Sequence, residues 1–137
     1  RPPYRVDFVI ENYTFTAYNI HIKPDDVDDE LLYLESLVEE EDNKENIVLL
    51  GDFNADGFYY DEDENQFFLN YEWVIDNSID TTLAKTDNTY DRIIMNKDMY
   101  NEYYAKGVYT NITTNISDHY PVWAQVKTWP RVFTKTS

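Results

Sequence analysis

Two polar side chains, Asp52 and Asn54, stand two residues apart directly after an apolar run. The run is Ile47–Leu50, and Gly51 separates it from the polar pair. Since alternate residues of a strand share one face, a strand ending at this glycine places both side chains on the same side of the sheet edge. The pattern predicts a polar site at a strand end, although ordinary turns have a similar composition.

The chain has only two histidines, and both lie where an apolar, strand-like segment meets turn residues. His21 ends the segment that begins at Tyr18, and His119 lies within the segment from Ser117 to Pro121. Imidazole titrates near neutral pH, so either side chain could transfer a proton in a reaction. The alternative for each is a hydrogen-bonded turn residue without a catalytic role.

Oxygen-bearing side chains suited to phosphodiester hydrolysis accompany these histidines. The reaction needs an activated water, stabilisation of charge on the phosphoryl oxygens, and help for the departing oxygen. A hard divalent cation supplies the stabilisation, and it prefers carboxylate and amide oxygens. Such oxygens lie near predicted strand ends at Asp52, Asn54, Asp91 and Asp118. For Asp91, a local ion pair with Arg92 is the alternative.

Together these segments resemble, in order along the chain, the C-terminal half of deoxyribonuclease I-like enzymes of the endonuclease/exonuclease/phosphatase superfamily. The motifs are Gly51-Asp-Phe-Asn-Ala-Asp56, Asp80-Thr-Thr82, Tyr90-Asp-Arg-Ile93 and Ser117-Asp-His119. The resemblance covers residues 1–126, and the tail at 127–137 has no counterpart. It implies an α/β (α+β) fold, namely half of a two-sheet sandwich flanked by helices, with a mainly antiparallel sheet. We expect the first half of such an enzyme to be missing from this chain.

The resemblance also implies roles for individual residues. The catalytic set would be His21, Asp52, Asn54, Asp91 and His119. Asp52 would orient or activate the attacking water, Asn54 would hydrogen-bond the scissile phosphate, and Asp91 would orient His119. Asp118 and Asp52 would bind Mg²⁺ or Mn²⁺, while the principal glutamate ligand belongs to the missing half.

Two further sets of residues follow from the resemblance alone. Asp80, Thr82 and Thr86 match a loop that binds a structural Ca²⁺, although Ala84 stands where that loop often has threonine. The alternative is a threonine-rich surface turn. By the resemblance Arg1 would contact a DNA phosphate, with a disordered chain end as the alternative. Tyr59 is expected to contact DNA on a different ground, because it follows the Asp52 loop where a DNA groove could pass.

Cysteine is absent from the sequence, which excludes a disulfide framework and a thiolate zinc site. Secreted animal deoxyribonuclease I enzymes carry a disulfide beside the Asp52 loop, and the matching positions here are Gly57 and Asn88. Asn-x-Ser/Thr sequons begin at Asn12, Asn111 and Asn115, and they would be glycosylation sites in an exported protein. The compartment is unknown, and a secreted or cell-surface location is compatible with these sequons.

A few predicted elements position the polar residues. Alternation over Tyr4–Ile10 and Thr14–Ile20 predicts a hairpin that delivers His21 to the sheet edge. An amphipathic helix is predicted from Asp25 or Asp26 to near Glu41 by apolar residues at helical spacing, which are Val27, Leu31, Leu34 and Val38. Three apolar strands are expected to form one sheet between this helix and the missing half: Ile47–Leu50, Ile93–Met95 and Tyr120–Val126.

The net charge of −16 weighs against an ordinary DNA-binding surface, which is usually rich in Lys and Arg. A bound metal ion would offset the charge of an acidic active site, so a metal-dependent nuclease can be acidic. The leading interpretation is an endonuclease that acts on DNA and is inactive as this half alone. We expect the missing N-terminal half or a second copy of the chain as a partner, and no membrane.

Two alternatives remain open at this point. One is a phosphodiesterase or phosphatase of the same superfamily that acts on a lipid or inositol phosphate, against which the Asp80–Ile93 segment argues. The other is a non-catalytic interaction module that kept the fold without a complete site.

Overall fold

The computed structural model of the protein describes residues 1–41 and 45–128, and the regular elements below lie within them. The helices are α1 (Val27–Glu39) and α2 (Lys97–Tyr100). The strands are β1 (Tyr4–Ile10), β2 (Tyr13–His21), β3 (Ile47–Asp52), β4 (Glu72–Trp73), β5 (Asp91–Met95), β6 (Tyr103–Val108) and β7 (Val122–Val126). The tail predicted at 127–137 lies outside the described residues apart from its first two.

Five strands form the main sheet in the order β1-β2-β3-β5-β4. Strands β2 and β3 run parallel, whereas the other neighbours are antiparallel. The predicted hairpin is present, with Tyr4 opposite Asn19 and Ile10 opposite Tyr13. This mixed, mainly antiparallel sheet with few helices confirms the predicted fold class.

Helix α1 packs on one face of the main sheet, and its predicted apolar stripe is buried. Acidic residues in its first turn favour the positive end of the helix dipole. Leu31 is fully buried, and truncating such a leucine to alanine typically costs about 2–5 kcal/mol. None of the helices among the described residues has the length and apolar character needed to cross a bilayer.

A second, two-stranded sheet of β6 and β7 packs against the other face of the main sheet. The prediction that Tyr120–Val126 joins the main sheet is therefore wrong, because Val122–Val126 pairs with Tyr103–Val108 instead. Alternation identifies a strand with one buried face, but it does not identify the strand's partner. The apolar contacts between the sheets come from Val48, Ile93, Met95, Val122, Ala124 and Val126.

Candidate active site

Three of the predicted site residues form one row across the end of the main sheet. His21 is the register partner of Asp52 on the parallel strand β3, and Asp52 is the register partner of Asp91 on β5. Strands β2 and β3 end at this edge while β5 begins there, so the three residues meet without a long loop. Because Asp52 and Asp91 alternate with Leu50 and Ile93, they lie on the face that the second sheet covers.

Gly51 is required by the close approach of two strands. Its φ is 138°, which side-chain-bearing residues rarely adopt. A Cβ at this position would lie 2.0 Å from the Ile20 carbonyl oxygen on β2. The glycine that makes the motif visible in the sequence therefore allows β2 to bring His21 beside Asp52.

Asn54 occupies a left-handed backbone conformation, with a φ of 48°. Asparagine tolerates this region better than most residues. Its backbone N–H donates to Asp52 Oδ1 at 3.0 Å, and its buried side-chain Nδ2 donates to the Ile22 carbonyl at 2.8 Å. The turn thus fixes both the Asp52 carboxylate and the Asn54 amide group.

His119 is brought to the same edge by the segment that precedes β7. Residues Thr82 and His119 form an antiparallel bridge, and the His119 backbone N–H donates to Ser117 Oγ at 3.0 Å. On either side, the Leu83 N–H donates to the Asp118 carbonyl and the Tyr120 N–H donates to the Thr81 carbonyl. These bonds hold the backbone of His119 against the loop that follows Asp80.

The side chains of His119 and Asp91 form a short pair, with 2.7 Å between the ring nitrogen Nδ1 and the carboxylate oxygen Oδ2. Burial raises the pKa of Asp91 above its usual range, and the hydrogen bond from His119 offsets only part of this effect. Burial opposes the charged form of His119, but the hydrogen bond and charge of Asp91 outweigh it, so the pKa of His119 is raised. An ionised Asp91 can only accept, so Nδ1 carries the proton and Nε2 is left for other chemistry.

His21 lies closer to solvent than His119 does. Its Nε2 is 3.4 Å from Asp52 Oδ2, and its side chain is 58% exposed. A guanidinium nitrogen of Arg1 lies 3.0 Å from His21 Nδ1. Because arginine only donates, Nδ1 accepts and the proton of a neutral ring sits on Nε2, facing Asp52.

A groove of about 330 Å³ opens beside Asp52, Asp91 and His119. Its remaining lining is mostly apolar and includes Leu50, Ile93, Ile112, Ile116, Pro121 and Val122. The three polar side chains therefore lie at one end of an open, largely apolar trough.

A metal ion could be held at this edge, since ligand atoms of Asp52, Asp91 and His119 lie within 4.8 Å of one another. The two carboxylates suit a hard divalent cation. However, Asp91 Oδ2 is already bound to His119, so Asp52 is the better-placed oxygen ligand of the three. Asp118, predicted as a ligand, lies outside this group and is exposed.

The predicted calcium loop is closed by its own hydrogen bonds. Asp80 Oδ1 accepts from the backbone N–H and the hydroxyl of Thr82 and from the Asn88 N–H. The exposed Thr86 is linked to this loop through the side chain of Asn88. Asp80 and Thr82 are thus in contact, whereas Thr86 is joined to them only indirectly.

The ring of Tyr90 connects Tyr59 to the His119 site. The ring centroids of Tyr59 and Tyr90 are 5.7 Å apart, and those of Tyr90 and His119 are 6.2 Å apart.

Gly57 lies close to Asn88, since a Cβ added at Gly57 would lie 2.7 Å from Asn88 Oδ1. The two positions that the resemblance matched to a disulfide are therefore close in space.

Comparison with known proteins supports the resemblance. No protein-family model matches the chain. The chain is 28% identical over 130 residues to Deoxyribonuclease-1 of Oryctolagus cuniculus, covering 79% of this chain and 46% of that protein. It is 34% identical over 122 residues to Deoxyribonuclease-1-like 1 of Cricetulus griseus, covering 75% and 40%. The chain thus spans about half the length of the curated relatives it matches.

Solved structures share the fold at lower identity. The endonuclease domain of TRAS1, a telomere-specific non-LTR retrotransposon, superposes with a TM-score of 0.72 at 14% identity, over 92% of this chain and 62% of that one. An endonuclease/exonuclease/phosphatase family protein from Leptotrichia buccalis C-1013-b superposes with a TM-score of 0.68 at 18% identity, over 90% and 53%. This chain is deoxyribonuclease I-like. It has the fold of the endonuclease/exonuclease/phosphatase superfamily.

The deoxyribonuclease I-like chain also holds a charged cluster that sequence reasoning missed. Arg92 is only 1% exposed, stacks 5.5 Å from the Trp73 ring, and donates to the carbonyls of Ala55 and Ile75. Burial lowers the pKa of Arg92 to about 10. The sequence suggested an ion pair with Asp91, but Arg92 and Asp91 are neighbours on a strand and point to opposite faces.

Two acidic side chains, Asp56 and Glu62, lie near Arg92. Burial and a hydrogen bond with Asp56 raise the pKa of Glu62 to about 7. For Asp56, burial acts to raise the pKa, but hydrogen bonds from Glu62 and two backbone N–H groups outweigh it and lower the pKa. The pair therefore holds one proton, which stays on Glu62 up to a pH at which an isolated glutamate would have lost it. Charge runs in the sequence gave no signal for this pairing.

Proposed function

We propose that this chain carries part of the catalytic site of a divalent-metal-dependent phosphodiesterase that cleaves DNA. The observation that supports the proposal best is the Asp91–His119 pair beside Asp52 at an open sheet edge. The names of the relatives, deoxyribonucleases and a retrotransposon endonuclease, favour a nucleic-acid substrate.

In this proposal the two histidines and the turn after β3 surround the scissile phosphate. Asp91 keeps the proton of His119 on Nδ1, so Nε2 faces the reacting group and exchanges protons with it. Asp52 orients or activates the attacking water. One N–H of Asn54 Nδ2 donates a hydrogen bond to the Ile22 carbonyl. The other N–H donates a hydrogen bond to a phosphoryl oxygen. His21 flanks the phosphate on the opposite side of Asp52.

A divalent cation fits the donor set in part. Asp52 would hold it together with Asp118, which lies next to His119 in the chain. A hard cation there would supply stabilisation of charge on the phosphoryl oxygens. Mg²⁺ and Mn²⁺ are proposed for this position, and Ca²⁺ for the loop of Asp80, Thr82 and Thr86.

Contacts to DNA are proposed for two residues near this edge. Arg1 lies beside His21, where a positive charge can meet a phosphate. Tyr59 is 41% exposed and is joined through Tyr90 to the His119 ring. With a chain of net charge −16, binding depends on such local contacts and on the cation rather than on a basic surface.

We further propose that a second polypeptide segment, one that lies outside these 137 residues or belongs to another copy of the chain, completes the site. The relatives are about twice as long as the matched segment, the groove beside His119 is open, and a two-stranded sheet is marginal alone. The missing N-terminal half of the fold, or a second copy of the chain, would cover the exposed side of β6 and β7. Light scattering with mass spectrometry tests this, and a stable monomer with no bound peptide contradicts it.

Nicking of supercoiled plasmid DNA tests the proposed activity. The longest polypeptide that the gene encodes should nick the plasmid with Mg²⁺ or Mn²⁺ and stop with a chelator, whereas the 137-residue chain should show little activity. Asp91→Asn should abolish most of the nicking, and Asp98→Asn, the same change at an exposed carboxylate in α2, should leave it intact. Cleavage by Asp91→Asn at the unaltered rate, or undiminished cleavage with the chelator, contradicts the proposal.

The same preparations separate the alternatives. Hydrolysis of an inositol phosphate with no plasmid nicking favours the lipid or inositol phosphate reading. A folded protein that hydrolyses neither substrate favours a non-catalytic module.

A further inference from the structure

The fully buried hydroxyl of Thr81 bonds to the backbone of Asp91, one member of the Asp91–His119 pair. Its Oγ1 accepts from the backbone N–H of Tyr90 at 3.0 Å and from that of Asp91 at 3.1 Å. The same hydroxyl lies 3.3 Å from the Asn88 carbonyl, to which it donates. One side chain therefore fixes the backbone at the start of β5, where Asp91 leaves the sheet edge.

The backbone of Thr81 holds the other member of the pair. Its carbonyl accepts from the Tyr120 N–H at 2.8 Å, and its N–H donates to the Asn88 carbonyl at 2.9 Å. The next residue, Thr82, forms the bridge to His119. The segment of His119 is thus attached to the same residue whose side chain holds Asp91.

We propose that Thr81 is a positioning residue of the Asp91–His119 pair, tying the two segments that carry these side chains to one fixed point. The proposal deepens the proposed function, on which its catalytic meaning rests. Asp91 and His119 are 28 residues apart in sequence, and the 2.7 Å bond between them requires both backbones to keep their places.

The chemistry of threonine suits this position. Its hydroxyl accepts from two backbone N–H groups and has one proton to donate, for which the Asn88 carbonyl and the Asp91 carboxylate are both acceptors. Valine has nearly the same shape but no acceptor, so Thr81→Val leaves the N–H groups of Tyr90 and Asp91 without their partner. Serine keeps the hydroxyl and loses only a methyl group.

Thr89 offers a matched control. It is as buried as Thr81, lies in the same loop, and donates from Oγ1 to the Ile79 carbonyl at 2.6 Å. Its hydroxyl bonds to neither Asp91 nor the segment of His119. Thr89→Val therefore removes a buried hydroxyl from this loop without touching the proposed fixed point.

The test is an NMR measurement on the 137-residue chain with ¹⁵N-labelled histidine. The chain has two histidines, and His21→Gln assigns their signals. We expect His119 to show a slowly exchanging Nδ1–H signal in the unaltered chain. In Thr81→Val the exchange of this proton with water should speed up at least about tenfold, the scale of losing a net hydrogen bond. Thr81→Ser should restore slow exchange, and Thr89→Val should not change it.

The outcomes separate this inference from the proposed function. A slowly exchanging Nδ1–H in folded Thr81→Val overturns the positioning role, as does equally fast exchange in Thr89→Val. If Thr81→Val does not fold, backbone hydrogen exchange of the unaltered chain decides: the amides of Asp91 and Tyr120 should open together, and independent opening overturns the proposal. The expected NMR result in a protein that cleaves no phosphodiester supports the positioning role and contradicts only the proposed function.

Discussion

The two histidines of this chain stand at one sheet edge in unlike surroundings. The His119 side chain is 28% exposed and bonds to a largely buried carboxylate at 2.7 Å. The His21 side chain is 58% exposed and lies 3.4 Å from Asp52. Each has an aspartate neighbour, but the backbone of His119 is held against the loop that follows Asp80, whereas that of His21 pairs with Asp52 in the main sheet.

Their hydrogen bonds also favour opposite neutral forms. His119 carries its proton on Nδ1, facing Asp91, whereas the donor from Arg1 leaves the His21 proton on Nε2, facing Asp52. A neutral His119 ring can therefore accept a proton at Nε2, whereas the Nε2–H of a neutral His21 ring can only donate a hydrogen bond. In the proposed reaction His119 is the base at the phosphate, and His21 would give a proton from its doubly protonated form.

The largest expected effect is on catalysis. In the plasmid assay, His119→Ala should lower the rate at least about a hundredfold, the usual scale of losing acid–base help. His21→Ala should also slow the reaction, and its pH profile should lose a different limb from that of His119→Ala, since one ring accepts a proton while the other gives one. Identical pH profiles for the two variants would break the comparison, and an unaltered rate for His119→Ala would contradict the catalytic role.

The second effect is on stability between pH 4.5 and 8. Glu62 has its pKa raised to about 7 in the folded chain, so its protonated form stabilises the fold at low pH and this contribution is lost as the pH rises from 4.5 through 7. The shift from 4.5 to about 7, at about 1.4 kcal/mol per pH unit, gives an upper limit of about 3.5 kcal/mol, and solvent around this partly exposed carboxyl reduces the loss below that limit. Glu62→Gln should remove it, as measured by urea unfolding at several pH values.

The Glu62→Gln background then isolates His119. Its pKa is raised in the folded chain, so its charged form adds stability that is fully present below its usual value and is lost as the pH rises through the raised value. A residual fall in unfolding free energy above pH 6.5 should therefore persist in His21→Gln and disappear in His119→Gln. A fall that instead disappears in His21→Gln would reverse the comparison.

Much of this edge could be predicted from the sequence because its signals are local. The apolar run before Gly51, the hairpin that ends at His21 and the helical stripe from Val27 to Val38 each depend on residues close in the chain. The partner of the last strand could not be predicted, because β6 gives a weak pattern, with residues of intermediate exposure. The roles of Thr81 and Arg92 depend on contacts with residues distant in sequence, and no spacing rule exposes them.

The smallest expected effect concerns Arg1, whose guanidinium group donates to His21 Nδ1 over a distance of 3.0 Å. Arg1→Ala removes an exposed hydrogen bond, so the free energy of unfolding should change by less than about 0.5 kcal/mol. Without this donor, His21 can place its proton on either nitrogen, and ¹⁵N NMR should show a mixture of the two neutral forms.

Arg1→Lys restores a donor and is the matched control. The signal of His119 should be the same in all three proteins, since its proton is fixed by Asp91. A change at His119 would show that the two sites are coupled, and an unchanged His21 signal in Arg1→Ala would contradict the role of Arg1.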